Sequence, residues 1–519
     1  VWTGAANDGN LWSTTNNWGN TDAPPVNTSL DFGFSSLAAN AQIVLDVAPG
    51  VTLTNLTYDH GLAGSTLTLT CPAGTTNTLT FPANGLVRVA EGQTLVLDTD
   101  VYLSGRLYKY GTGTLVLNRH THAPVTGVWL SDYLNRLIVM EGRVIGRGEF
   151  SGISVMPASR RALAALPEFI LEGDRAIIHN GSATMPGYEN QMGDKGVITQ
   201  TGGTVDLTEL ATQFKAGLTG FITASSSSAS WINEGTYNLE GGTLISCSNY
   251  PAYASGNYAR GTVNQSGGTS TFFGLRLTQF ATTARFGELN LSGGRLNLSG
   301  TAEKGWGDGR VNLSGGQVAS LLAGNVFGAD VPVTLATGGA GDVAFAQAQA
   351  AQTNSLPCTL TGTGGLVQEG PGTLALNGVN AFGGNVTVKG GTLRVSAALA
   401  STRELFVDGG SLELLAGAPS LTNLSVRAAE TAVRIDGAAV PFAGGLTLSL
   451  AQGMVTELDF DGVVDVDGLV LGGLAKSPGL YGGADSAAPS SPLNAYFTGT
   501  GTLRVLYGPQ PRGTMMMLR

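Results

Sequence analysis

GVITQTGGTV from Gly196, GTYNLEGGTL from Gly235, GTVNQSGGTS from Gly261, GELNLSGGRL from Gly287 and GRVNLSGGQV from Gly309 are copies of one pattern. Apolar and polar residues alternate on both sides of a glycine pair, so each copy reads as a strand, a sharp bend and a second strand. In GELNLSGGRLNL the residues Leu289, Leu291, Leu296 and Leu298 all fall on one side. The glycine pair supplies the positive φ that a sharp bend needs. Two folds use such a unit, a two-residue hairpin and a corner of a solenoid coil. The starts lie 39, 26, 26 and 22 residues apart. That is the length of a coil with two or three short strands, with loop insertions accounting for the drift. Asn recurs at Asn238, Asn264, Asn290, Asn297 and Asn312, where stacked coils would place equivalent side chains in a hydrogen-bonded ladder. The reading is therefore all-β, with parallel strands walling a long, thin core. Helix content should be small; Thr208 to Leu218 and Ala344 to Ala351 have locally helical composition, which allows short helices there as loop excursions or caps.

Composition agrees with a coil of small residues. Of 519 residues 77 are glycine, 12% are charged and 42% are hydrophobic. A disordered chain would be richer in charge and poorer in recurring apolar runs. The formal charge of −10 leaves no basic surface for phosphates, which argues against nucleic acid as a partner. No basic cluster suits an anionic membrane, and no apolar stretch approaches the eighteen residues of a membrane span. Cys71, Cys247 and Cys358 lack metal-ligand spacing and make no disulfide framework, leaving either one pair or buried thiols. The chain starts at Val1, as it would after removal of a signal peptide.

Beyond the central copies, GTGGLVQEGPGTLALNGVNAFGGNVTVKGGTLRV from Gly362 to Val395 resembles the autotransporter-associated β-strand repeat of bacterial surface and secreted proteins. The opening segment, with Trp2, Gly4, Trp12, Asn17, Trp18, Pro24 and Phe32, is similar to the first module of such proteins, and Leu458 to Val505 to their C-terminal module. The resemblance implies a right-handed parallel β-helix exported to the cell exterior of a bacterium. It divides the chain into an N-terminal cap with the first coils (1–60), glycine-pair coils with loop insertions (61–360), coils carrying the resembling repeat (361–455), and C-terminal coils with an apolar tail (456–519). Autotransporters end in a translocator barrel, whereas this sequence ends in GTMMMLR, so the expectation is export by another route.

Several residues invite a chemical reading. Asp459, Asp461, Asp465 and Asp467 form the densest acidic run; pairs of them share a strand face and offer oxygen ligands to a structural cation, or simply make a solvated face. No other cofactor is expected. His120 and His122 also share a face, without a third metal ligand nearby. No nucleophile elbow, metalloprotease helix or phosphate loop occurs. Trp2, Trp12 and Trp18 suit a cap over the first coil, a sugar-stacking platform, or one half of an assembly interface. The other half would be Met515, Met516, Met517 and Leu518, in a tail expected to pack on its own last coil or on a neighbouring chain.

The functional expectation is a non-enzymatic, secreted structural protein that joins head to tail with copies of itself into an extracellular filament or surface layer. The alternative is a monomeric surface adhesin or glycan-binding β-helix with extracellular polysaccharide as partner. A third reading is a polysaccharide lyase or hydrolase, for which no carboxylate constellation is evident.

Overall fold

A computed structural model describes residues 2, 8–18, 28–33, 37–82, 84–122, 137–150, 153–155, 166–173, 177–179, 183–184, 195–206, 221–222, 233–246, 249–250, 259–278, 285–305, 307–338, 341–402, 404–418, 420–428, 431–436, 445–487, 493 and 495–509. The chain forms two compact units, one of Val1–Leu289 with Gly305–Gly309, the other of Asn290–Lys304 with Arg310–Arg519. Each is a parallel β-helix.

In the first unit Thr94–Asp98, Asp100–Leu103 and Leu107–Tyr110 follow one another on three different ladders, and Thr114–Leu117 returns to the first. That ladder runs in register from Asn40–Val44 through Arg143–Gly146 to Ala259–Gln265, every step parallel. Alternate residues point inward, and Leu67, Leu69, Leu95, Leu97, Leu115 and Leu117 are buried one above another. A parallel pair satisfies its backbone only through the coils on either side, so each coil depends on its neighbours.

The glycine pairs are corners between ladders. Asn233–Leu239 and Thr243–Ser246 flank Gly241 and Gly242, yet they pair with different partners and never with each other. Gly242 has φ +77°, and a Cβ there would lie 2.4 Å from the Gly203 carbonyl oxygen; one on Gly241 would lie 2.3 Å from that of Thr201. The corners therefore stack backbone on backbone, and both positions exclude a side chain. The hairpin alternative is realised elsewhere, in the second unit. Gly472 (φ +56°) and Gly473 (φ +81°) join Gly468–Leu471 to the antiparallel Leu474–Ala475, with both glycines left-handed as a tight hairpin requires.

The Asn ladder forms within each unit. Asn264 Nδ2 donates to Asn238 Oδ1 at 2.9 Å in the first unit, and Asn312 Nδ2 to Asn290 Oδ1 at 2.7 Å in the second. Asn297 stands apart, on a ladder where it faces Ala319, and accepts from Arg295 Nε. The helix allowed at Ala344 to Ala351 is corrected: Val343–Gln347 is a strand, followed by a turn. Its residues pair with Gln317–Ser320 on one side and Leu366–Gln368 on the other, and that ladder overrides the local propensity of alanine. The segment from Thr208 to Leu218 lies outside the described residues. Cys71 and Cys358 are buried free thiols, and burial raises the Cys358 pKa to about 12.

The second unit keeps the same logic with shorter coils. Arg394 meets Glu413 19 residues on, and Lys389 meets Glu369 20 residues back. One ladder runs from Gln317–Ser320 to Gly468–Leu471, and another from Gly324–Asn325 to Phe497–Thr498. Toward its C-terminal side the strand direction reverses. Leu474–Ala475 lies antiparallel along Gly468–Leu471, and Gly479–Gly482 antiparallel along Thr502–Val505, which covers edges that parallel coils would leave open.

Inside the corners sit polar side chains. Two residues before the first glycine of a turn, Gln200, Gln265, Gln368 and Lys109 are buried. Gln200 Nε2 donates to the carbonyls of Gly203 (3.1 Å) and Thr243 (3.0 Å), while its Oε1 accepts from the Tyr237 hydroxyl at 2.6 Å. Gln368 Nε2 likewise reaches Gly370 and Gly372, and donates to Gln347 Oε1 at 2.6 Å. Lys109 Nζ donates to the carbonyls of Gly111 (2.6 Å), Gly113 (2.9 Å) and Glu141 (3.1 Å). A corner turns carbonyls inward, and burial without a donor would cost about 1–3 kcal/mol for each. Burial of the amine pushes the Lys109 pKa down to about 7, against the opposing charge of Glu141.

Two predictions follow from this packing. Gly242→Ala should destabilise by about 3 kcal/mol, because it combines a left-handed backbone with a backbone clash. Gly74→Ala, at φ +79° with nothing within 4 Å of the added Cβ, should cost about 1 kcal/mol. Equal losses in urea unfolding would contradict the stacked-corner account. For Lys109 the folded pKa of about 7 lies below the ordinary 10.5, so in that window the unfolded chain binds the extra proton. Stability should rise with pH from about 7 to about 10.5 and be lowest at and below pH 7, where the native state carries the buried charge. Lys109→Gln, which offers the amide donors used at Gln200, should flatten this slope relative to wild type in unfolding measured across that range.

Candidate functional site

The outward face of one ladder in the second unit carries the most organised surface chemistry. Its strands are Thr373–Leu376, Thr392–Val395, Ser411–Leu414, Ala432–Asp436 and Val455–Asp459. Leu374, Leu376, Leu393, Val395, Leu412, Leu414, Val433, Ile435 and Leu458 point into the core. Alternating with them are two lanes, one of Thr373, Thr392, Ser411, Ala432 and Val455, the other of Ala375, Arg394, Glu413, Arg434 and Glu457, with Asp436 and Asp459 paired beyond their ends.

Signs alternate along the second lane. In-register stacking sets equivalent residues about 4.8 Å apart, where like charges repel and opposite ones attract. Arg394 Nε donates to Glu413 Oε2 at 2.5 Å. Arg434 donates to Asp459 Oδ2 through Nε at 3.0 Å and also through Nη2, and stands 3.8 Å from Glu457. Glu413 holds the Arg394 pKa above its ordinary value, and Asp459 does the same for Arg434. A second alternating row lines a corner of the same unit. Lys389 Nζ reaches Glu369 Oε1 at 3.2 Å, and Arg427 holds Asp408 by two bonds of 2.6 and 2.9 Å while covering the Phe406 ring at 4.1 Å. The first unit repeats the rule with Arg143 on Glu168 and Arg147 on Glu172.

Between the two lanes lies a groove of about 370 Å³, bordered by Thr392, Ser411, Glu413, Ala432, Arg434, Val455, Glu457 and Thr498. It joins hydroxyls, charges of both signs and the exposed apolar surface of Ala432 and Val455. Sequence reading missed it. The signal was present as Arg394, Glu413, Arg434 and Glu457 at one offset in TLRV, SLEL, AVRI and VTEL, but it is visible only once the strands are aligned as rungs.

The residues singled out from the sequence are placed as follows. Asp459 is paired with Arg434, and Asp465 with Arg504 through two bonds of 2.7 and 2.6 Å. Among the described residues no three His, Cys, Asp or Glu side chains converge as a metal site requires; Asp461 and Asp467 add no third ligand. His120 Nδ1 contacts Glu149 Oε2 at 3.0 Å. Trp2, Trp12 and Trp18 are buried against one another, with Trp18 4.8 Å from Trp2 and 4.7 Å from Trp12 between ring centres. Trp18 Nε1 donates to the Trp12 carbonyl, and the Trp12 amide to the Val44 carbonyl, both at 2.8 Å. Buried Asn17 braces the cap through the Leu11 carbonyl and Asp8 Oδ1. The indoles thus close the edge strand Asn40–Val44 and present no aromatic face outward. Met515, Met516, Met517 and Leu518 lie outside the described residues.

Comparison with known proteins fits this architecture. Residues 366–395 match the family model of the passenger-associated transport repeat. The chain is 27% identical over 334 residues to the adhesin BmaC autotransporter of Brucella suis biovar 1 (strain 1330), an alignment covering 60% of this chain and 9% of that protein. The chain therefore spans only a small part of the length of the curated relative it matches. No solved structure matches. The repeat and the relative are those of secreted, cell-surface proteins, and the matched residues 366–395 lie within the parallel β-helix of the second unit.

Proposed function

We propose that this protein is a non-enzymatic surface adhesin whose β-helix presents a polar outer face to extracellular polysaccharide. The observation that carries the reading is the mixed-charge groove on the ladder from Thr373–Leu376 to Val455–Asp459. Its similarity to an adhesin over more than half the chain supports it. Catalysis is disfavoured because Glu413 and Asp459 are tied to Arg394 and Arg434, which commits their oxygens to ion pairs.

A second reading, head-to-tail assembly of copies into a filament, is favoured by exposed apolar residues in the second unit. Val463, Leu474, Leu506 and Tyr507 are 51%, 68%, 37% and 67% exposed, and such surface suits a neighbouring chain. In that reading the N-terminal cap would contribute its outer surface, since its indoles are buried.

Beads coated with the purified chain should adhere to polysaccharide-coated surfaces, release no new reducing ends or unsaturated products, and stay single in electron micrographs. Regular filaments that vanish when Gly513 to Arg519 are deleted would favour assembly. Loss of adhesion by intact chains would refute the adhesin reading.

A further inference from the structure

The ligand class follows from how the groove is lined. Charges alternate in sign along the lane, so a polyanion laid along the groove meets Glu413 and Glu457, and a polycation meets Arg434 within it and Arg394 on the adjoining rung. Either would be repelled at every second rung. A hydroxyl both donates and accepts, and answers both signs without carrying charge. Glu457 stands 3.8 Å from Arg434, beyond hydrogen-bond length, with its side chain 53% exposed, so its oxygens are placed to accept. Arg434 holds Asp459 through Nε and Nη2, and Nη1 takes no part in that pair. Beside these two residues the hydroxyl lane changes to Ala432 and Val455. That is a small apolar step on which the C–H face of a sugar ring can rest.

The geometry also gives a direction. Both lanes run from rung to rung, about 4.8 Å apart, so equivalent groups recur along the coil axis and not across it. We propose that the groove binds a neutral linear glycan lying along the coil axis, with hydroxyls on Arg434 and Glu457 and a ring face on Ala432 and Val455. This rests on the adhesin reading and names its ligand. Among the described residues no aromatic side chain borders the groove, so a single site is weak, with Kd of about 1 mM. Firm attachment then requires several chains on one polymer.

The test uses the full chain with neutral glucan, mannan and galactan hexasaccharides. Hexamers of galacturonate and of glucosamine serve as charged comparators, and binding is read by saturation-transfer NMR and calorimetry. At least one neutral oligomer should bind, with affinity changing less than about twofold between low salt and about 0.5 M. Glu457→Ala should weaken it about tenfold. Ser411→Trp, which fills the groove from an outward strand position, should abolish binding while the thermal unfolding midpoint stays at the wild-type value. Should Ser411→Trp unfold the protein, Thr392→Trp replaces it, entering the groove from the next rung. Binding that survives a folded groove-filling variant would overturn the proposal, as would preference for a charged hexamer with steep salt dependence. Bead adhesion that persists without any neutral oligomer bound would overturn this ligand assignment and leave the adhesin reading standing. Failure of the beads to adhere would remove that reading itself.

Discussion

Parallel, in-register stacking is the constraint on which the structure depends: every residue of a rung lies about 4.8 Å from the same position in the coils before and after it. A position is therefore chosen for its compatibility with copies of itself. Leucine and valine stack on their own kind and make a dry core, as Leu67, Leu95 and Leu115 do. Asparagine stacks through its amide, which both donates and accepts. Charge does not stack on itself, so arginine alternates with glutamate along the lane from Arg394 to Glu457. At stacked corners such as Gly241 and Gly242, backbone meets backbone and only glycine fits.

The same constraint explains the buried polar groups. A corner that closes a coil turns carbonyl oxygens inward. Those of Gly203 and Gly372 accept one bond from the next coil, from the Thr243 and Thr392 amides, both at 2.9 Å, and have a second lone pair left for a side-chain donor. Gln200, Gln368 and Lys109 supply donors there from one position relative to the turn. Lysine does so with its charge displaced from the ordinary range by burial, and glutamine provides the same donors as a neutral amide. Edges are the complementary problem. The first unit closes the edge of Asn40–Val44 with the tryptophan-built cap, and the second reverses strand direction at Leu474–Ala475 and Gly479–Gly482. These devices interrupt the stacking where it would otherwise invite further strands. The surface chemistry is left on the faces, where opposite charges hold one another and a shallow groove remains.

Alternation around GELNLSGGRLNL, the repeated glycine pair and the spacing of its copies were enough to identify strands, corners and coils, and the resemblance at Gly362 to Val395 pointed to a bacterial surface β-helix. These are local properties: a period of two, a bend that needs left-handed backbone, and a repeat length. The sequence by itself thus determined the coil. Only the tertiary structure decided which residues share a rung, because loops of different length separate partners by 39 residues at Thr199 and Asn238 but by 19 at Arg394 and Glu413. Without that alignment Arg394, Glu413, Arg434 and Glu457 are scattered charges, and Ala344 to Ala351 resembles a helix. Stacking turns the first into a ladder beside a groove and the second into a strand. The pairing energy lies between coils, where the order of residues along one coil does not display it.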